Sequence, residues 1–152
     1  MSVNPEQSAL YVTATIGGQL FGVPIGRVQD VFVPGRMTPV PLAAAEIAGL
    51  INLRGRIVTM IDMRQRLGLP DGAYALAPMA IGVEWRSESY GLLIDQIGEV
   101  VMLPSAGREP PPANLDVRLA RVAAGVHRLD ERLLTMLDVD RVIEGAAENL
   151  AA

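Results

Sequence analysis

The sequence predicts an all-β fold of two five-stranded halves related by internal duplication, each half a small barrel, with a hydrophobic seam between them. The first observation is an internal repeat in which aromatic, acidic and aliphatic positions recur. Phe21–Val31 matches Tyr90–Val100, and Gly49–Asp62 matches Gly125–Asp138. The second is a series of short apolar runs separated by turn residues, typical of strands that close into barrels to protect their edges. Two barrels of this size should share a seam, because each alone is marginally stable.

The first half is predicted to hold three strands, a short helix and a hairpin. Gly17-Gly18 marks the first turn, and Pro34-Gly35 ends the third strand. A helix can begin after Pro41 and stop at Gly49. The predicted elements are Leu10–Ile16, Leu20–Ile25, Val28–Val33, the helix Leu42–Ala48 and the hairpin Ile47–Asp62; the second half repeats the strands over Met79–Leu137.

The hairpin Ile47–Asp62 is predicted to turn at Arg54-Gly55. Neither arm alternates cleanly between apolar and polar residues, which predicts strands that are central and covered on both faces. Asp62 is the predicted N-cap of a short helix that ends at Gly68. Asp138 is its counterpart before a C-terminal helix that runs towards Ala147.

One domain is expected over residues 10–143, with barrel halves at about 10–69 and 79–143 and a linker over 70–78. Residues 1–9 are predicted to be flexible, and residues 144–152 to hold the end of the C-terminal helix and a tail. The N-terminus has no basic head or apolar run typical of a signal peptide. Since the chain also lacks cysteine and any membrane-length apolar run, a cytoplasmic protein is the simplest expectation.

Composition argues against several classes of function. A net charge of −4 and a pI near 5.0 argue against nucleic-acid binding, which needs clustered basic residues. The single histidine, His127, falls at a strand position of the repeat, and without cysteine neither a metal site nor a thiol nucleophile is expected. No serine lies in a Gly-x-Ser-x-Gly context, and no phosphate-binding glycine motif occurs. The sequence therefore predicts no catalytic, metal-binding or cofactor-binding residue.

Alternative functions remain open at the groove expected between the barrels. It could bind a small apolar ligand, or host an acid/base enzyme that uses Asp62, Asp95 or Glu84, if polar groups converge there. Half of the residues are hydrophobic and the mean hydropathy is +0.30, which fits either a generous aliphatic core or exposed apolar surface.

Arg54 is an asymmetric position of the hairpin turn, since its counterpart in the second half is Asp130. The barrel itself therefore does not require an arginine there. Arg54 is either a solvated turn residue or a side chain that folds back and pairs with Asp30.

Four stretches that cover nearly the whole chain carry a more specific pattern. They are FGVPIGRVQDV (Phe21–Val31), TPVPLAAAEIAGLINLRGRIVTMIDMRQRLGL (Thr38–Leu69), YGLLIDQIGEVV (Tyr90–Val101) and LLTMLDVDRVI (Leu133–Ile143). With INLRG followed by IV-x-x-ID, the sequence resembles the CheW family of bacterial chemotaxis coupling proteins. Thr59, Met63 and Asp30 depart from the residues common in that family.

The resemblance implies two five-stranded SH3-like barrels and a non-enzymatic adaptor without a cofactor. Its implied partners are the cytoplasmic tip of methyl-accepting chemoreceptors and the regulatory domain of a CheA-type histidine kinase, in arrays at the inner membrane but without membrane insertion. The receptor-binding groove would be formed by Val28, Asp30, Ile57, Met79, Tyr90, Ile97 and Val100. Arg54 and Gly55 match the turn that shapes this groove, and the kinase contact is expected around Val31, Phe32 and Val33.

Overall fold

Ten strands form two five-stranded sheets in the part of the chain that the computed structural model describes, residues 8–69 and 78–151, with side chains described to residue 146. The strands are β1 Ser8–Ile16, β2 Gln19–Pro24, β3 Asp30–Phe32, β4 Ile47–Leu53, β5 Arg56–Asp62, β6 Met79–Trp85, β7 Glu88–Ile94, β8 Gln96–Pro104, β9 Ala123–Leu129 and β10 Arg132–Leu137. The helices are α1 Met63–Leu67, α2 Val117–Val122 and α3 Val139–Ala151, and single 3₁₀ turns lie at Ile25–Arg27 and Ser105–Gly107. Among the described helices, none combines the length and the apolar character needed to cross a membrane.

Each sheet takes strands from both halves of the sequence. The first sheet has the order β8-β1-β2-β10-β9 and the second the order β3-β6-β7-β5-β4. The strands β6 to β10 of the second half are the counterparts of β1 to β5 of the first. If each strand of the second half is given the number of its counterpart, both sheets have the order 3-1-2-5-4. The two sheets therefore repeat one pattern, as the duplication predicts.

The expectation that each half closes into its own barrel is wrong, because the chain changes sheets after the second strand of each half. Two parallel pairings join the halves: β2 with β10, where Leu20 lies opposite Leu134, and β5 with β7, where Thr59 lies opposite Tyr90. Parallel pairs need long connections, so they unite strands that are distant in sequence. The predicted limits of the two halves, about 10–69 and 79–143, therefore describe the repeat in the sequence and do not separate the two sheets.

A backbone bridge links the two edges of each sheet. In the second sheet, Thr38 follows the edge strand β3 and exchanges two hydrogen bonds of 2.8 Å with Leu50 of the opposite edge strand β4. Glu109 and Val126 make the equivalent pair in the first sheet, at 2.9 and 2.8 Å. Gly49 permits this closure: its φ is +153°, and a Cβ there would lie 2.8 Å from the Thr38 carbonyl oxygen. The bridges satisfy edge groups that would otherwise be exposed.

The seam predicted between the two halves is the largest hydrophobic cluster. It contains Ile16 and Phe21 from the first sheet and Ile61, Ile81 and Leu92 from the second, each at most 1% exposed. Buried residues of all three helices complete it. Because one cluster serves both sheets, neither sheet has an independent core of comparable size.

The predicted helix caps at the ends of β5 and β10 are confirmed. Asp62 Oδ1 accepts hydrogen bonds from the amides of Arg64 at 3.0 Å and Gln65 at 3.3 Å, and Gly68 ends α1 in a left-handed conformation. Asp138 Oδ1 accepts from the amide of Arg141 at 3.2 Å in the first turn of α3. This helix runs to Ala151.

Several local expectations are wrong. The helix Leu42–Ala48 does not form, because Leu42 has a φ of +64° and the Glu46 carbonyl accepts the amide of Asp62 in a non-helical pairing. The strand β4 is an edge strand and not a central one. The strand β1 begins at Ser8, so residues 8 and 9 are not part of a flexible N-terminus; residues 1–7 and 70–77, including most of the predicted linker, lie outside the described residues. The helix α2, which begins after the N-cap Asp116, is absent from the predicted elements.

Candidate functional site

Three residues of the implied receptor groove lie at the margin of the seam. Val28, Met79 and Ile97 are half-buried, and each packs against the seam cluster. Val28 follows the 3₁₀ turn after β2, Met79 begins β6, and Ile97 lies near the start of β8. Accessible apolar atoms over a rigid core are the kind of surface that a partner helix can cover.

Tyr90 is a member of the seam cluster and is only 2% exposed. Its hydroxyl donates to Glu88 Oε2 at 3.2 Å, and its ring meets Trp85 edge-on with centroids 6.2 Å apart. The Arg86 guanidinium lies 4.4 Å from the Trp85 ring centroid. Tyr90 is thus part of the core and not an accessible groove residue.

Burial raises the pKa of Tyr90 above its ordinary value of 10.0, and the charge of Glu88 and the hydrogen bond to it act in the same direction. A folded-state pKa above the unfolded value means that the neutral phenol contributes stability below about pH 10, lost as pH rises through the folded-state pKa. We therefore expect Tyr90→Phe to reduce the fall in unfolding free energy between about pH 8 and about pH 11, measured by urea denaturation. An unchanged pH dependence in this variant would contradict the assignment.

The remaining groove residues lie outside the seam cluster. Val100 on β8 is 51% exposed and lies opposite Val12 of β1. Ile57 on β5 is exposed, opposite Asn52. Asp30 is half-buried on β3.

The turn at Arg54-Gly55 has positive φ at both residues, 55° and 82°, as in the tight turns that match strand twist. The Gly55 amide donates to Asn52 Oδ1 at 2.9 Å, which fixes the turn locally. Among the ion pairs of the described residues, Arg54 and Asp30 are not partners. The Asp30 carboxylate instead lies over Gly82 of β6, where a Cβ would collide with it. Arg54 is an exposed turn residue.

The segment expected to contact the kinase lies at an edge of the second sheet. Val31 and Val33 are exposed, and 68% of the surface of Val33 is accessible. Phe32 instead packs against a smaller hydrophobic cluster within this sheet. The strand β3 has only three residues and pairs with β6 alone.

The sequence interpretation missed an exposed apolar row on the first sheet, formed by Leu10, Ile25 and Met102. Leu10 on β1 lies opposite Met102 on β8, and Ile25 follows Pro24, the partner of Tyr11 on the other side of β1. All three are exposed, and Val100 lies on the same face of β8 as Met102. The row could not be seen in the sequence, because β8 comes from the other half of the repeat.

Each of the carboxylates considered for acid/base chemistry makes structural contacts, and Asp62 and Asp95 share Arg64 as a partner. Asp62 caps α1, Asp95 Oδ2 accepts from the Gly17 amide at 2.7 Å and from the Arg64 guanidinium at 2.9 Å, and Glu84 accepts from Gln29 at 2.7 Å. Within the described part of the chain, no group of three or more acidic, histidine or cysteine side chains could hold a metal ion.

Comparisons with known proteins give one family. The CheW-like domain model matches residues 10–147. The chemotaxis protein CheW of Treponema pallidum is 27% identical over 146 residues, which cover 93% of this chain and 85% of that protein. CheW of Rhizobium meliloti is 28% identical over 127 residues, 84% of this chain and 82% of that protein.

A solved structure agrees with these relatives. The crystal structure of the scaffolding protein TtCheW from Thermoanaerobacter tengcongensis matches with a TM-score of 0.80 and 26% identity, covering 90% of this chain and 92% of that one. The shared fold and the family model over most of the sequence confirm the resemblance found in the motifs. The chain belongs to the CheW-like domain family.

Proposed function

We propose that this protein is a non-enzymatic adaptor that couples methyl-accepting chemoreceptors to a CheA-type histidine kinase, in the cytoplasm at receptor arrays. The observation that carries the proposal is the accessible apolar margin of the seam at Val28, Met79 and Ile97, in a chain of the CheW-like family. Coupling requires binding and geometry only, so no catalytic residue or cofactor has a part in it.

The receptor's helical tip would occupy the seam margin. A helix laid on such a surface gains affinity from a few aliphatic anchors and specificity from polar neighbours. Val28 and Ile97 would be anchors on the core side, and the exposed Val100 would be an anchor on the solvent side. Ile57 and Asp30 would lie at the rim. Arg54 and Gly55 would support the rim through the shape of their turn.

The kinase regulatory domain would bind at the sheet edge formed by Val31 and Phe32 of β3 and by Val33, which follows this strand. Exposed valines beside unpaired strand groups favour pairing with a like-folded domain. The strand β3 belongs to the second sheet, whereas Val100 belongs to the first. The receptor surface also includes Asp30 of β3, so the two surfaces adjoin there, and simultaneous binding would place the two partners side by side.

Each contact is expected to be small and weak alone, and to become firm when many adaptors act together in an array. The experiment is a pull-down of purified protein with a receptor signalling tip and with the CheA regulatory domain, each separately. Binding to both supports the proposal, and failure to bind either contradicts it.

A further inference from the structure

The three helices enclose a polar cleft that the adaptor function does not use. The helix α2 packs against both α1 and α3, and the cleft between them has a volume of about 480 Å³. Four arginines and two glutamates line most of it: Arg66, Arg118, Arg121, Arg141, Glu46 and Glu144. The cleft is thus chemically unlike the aliphatic seam margin.

The arginines converge from all three helices. Arg118 and Arg121 are three positions apart on α2 and so project from one face of it. Arg66 comes from α1 and Arg141 from α3. In a chain of net charge −4, four of the thirteen basic residues meet at this one place.

Existing contacts orient these guanidinium groups without filling the cleft. Arg66 donates through Nε to the Val142 carbonyl and through a terminal nitrogen to the Arg141 carbonyl, both at 2.9 Å. Arg118 pairs with Asp116 at 3.7 Å and Arg141 with Asp138 at 3.5 Å.

These two ion pairs are largely exposed, and such pairs are weak enough to be exchanged for a ligand. The side chain of Arg121 makes no hydrogen bond or ion pair within residues 8–69 and 78–146.

We infer that this cleft binds a phosphorylated small molecule that also carries hydroxyl or amine donors, the chemistry shared by nucleotides and sugar phosphates. Guanidinium groups present planar forks of donors that match phosphate oxygens. The Glu144 carboxylate would accept from a donor group of the same ligand. The volume lies within the range of small-molecule sites and exceeds what a phosphate ion alone would fill.

The test follows the arginine Nε–H signals of ¹⁵N-labelled full-length protein by NMR during titration at constant ionic strength. The titrants are pyrophosphate, AMP and glucose 6-phosphate. We expect saturable shifts with at least one of the two organic phosphates, and the stronger of them identifies the ligand class. No saturable shift up to about 10 mM with any titrant would overturn the inference.

Two variants and a matched control locate the site. Arg121→Gln and Arg118→Gln should each weaken binding about tenfold or more, because each removes a charge-assisted hydrogen bond. Arg36→Gln removes the same charge from an exposed loop position between β3 and β4 and should leave affinity unchanged. Equal affinity in Arg121→Gln, Arg118→Gln and Arg36→Gln would overturn the placement of the site.

A further variant tests the second half of the inference. Glu144→Gln should weaken binding of the organic phosphate severalfold but not that of pyrophosphate, which has no hydroxyl or amine group to donate. Equal effects on both, or binding of pyrophosphate alone, would contradict a ligand with donor groups.

Discussion

Replacing Val100 with glutamate is expected to weaken binding to the receptor tip about tenfold or more while leaving kinase binding unchanged. The valine is 51% exposed, so the free protein can keep the new carboxylate hydrated. Under a bound helix this charge would be desolvated without a partner, which is costly. Val100 is a cleaner test than Val28, because Val28 also packs against the seam cluster. Affinities for both partners would be measured by calorimetry.

The reciprocal change is Val33→Glu, which should weaken kinase binding and spare the receptor tip. Val117→Glu is the matched control: Val117 is 64% exposed on α2, outside both proposed surfaces. All three variants should keep the wild-type thermal midpoint, since exposed substitutions change stability little. If either Val100→Glu or Val33→Glu, as a single substitution, abolished binding to both the receptor tip and the kinase domain, the two surfaces would not act independently.

Replacing Asp95 with alanine is expected to lower the unfolding free energy by about 2–4 kcal/mol. Asp95 lies between β7 of the second sheet and β8 of the first, where the chain crosses over. Its carboxylate binds the Gly17 amide in the β1–β2 turn and Arg64 in α1, and its own amide donates to the Thr15 carbonyl. The two charged side chains are only 11% and 16% exposed, so the loss of one leaves the other poorly solvated.

Chemical denaturation followed by Trp85 fluorescence measures this effect. Glu109→Ala is the matched control, because it removes an ion pair of 3.2 Å with Arg128 whose side chains are 48% and 73% exposed. Its cost should stay below about 1 kcal/mol. If Asp95→Ala and Glu109→Ala lowered the unfolding free energy by similar amounts, the contacts of Asp95 would be no more stabilising than an exposed ion pair.

Local signals in the sequence were sufficient for several turns, caps and strands, but not for the segment Leu42–Ala48 or for α2. The Arg54-Gly55 turn, the Asp62 cap and the Gly68 stop each depend on residues within a few positions of one another. The repeat between Phe21–Val31 and Tyr90–Val100 predicted two equivalent five-stranded units with a hydrophobic seam between them, and the structure has two equivalent five-stranded sheets around one main core. Such features can be predicted because turns, caps and apolar runs follow from local chemistry.

The exchange of strands between halves could not be predicted in this way. Equivalent strands of the two halves carry nearly the same sequence pattern. No local signal therefore indicates whether β2 pairs with β5 or with β10, the counterpart of β5 in the second half. The same ambiguity hid the apolar row of Leu10, Ile25 and Met102, because Met102 lies opposite Leu10 only after the exchange. For the candidate site, the family resemblance pointed to Val28, Met79 and Ile97, each of which packs against the seam cluster. It could not indicate that Tyr90 is buried.

The most direct test of coupling is co-sedimentation of the CheA regulatory domain with receptor-bearing membranes, with and without this protein. The account predicts that the kinase domain sediments only when the protein is added, and that neither Val100→Glu nor Val33→Glu can replace the wild type. Sedimentation of the kinase domain at the same level without the protein, or none with it, would contradict the account.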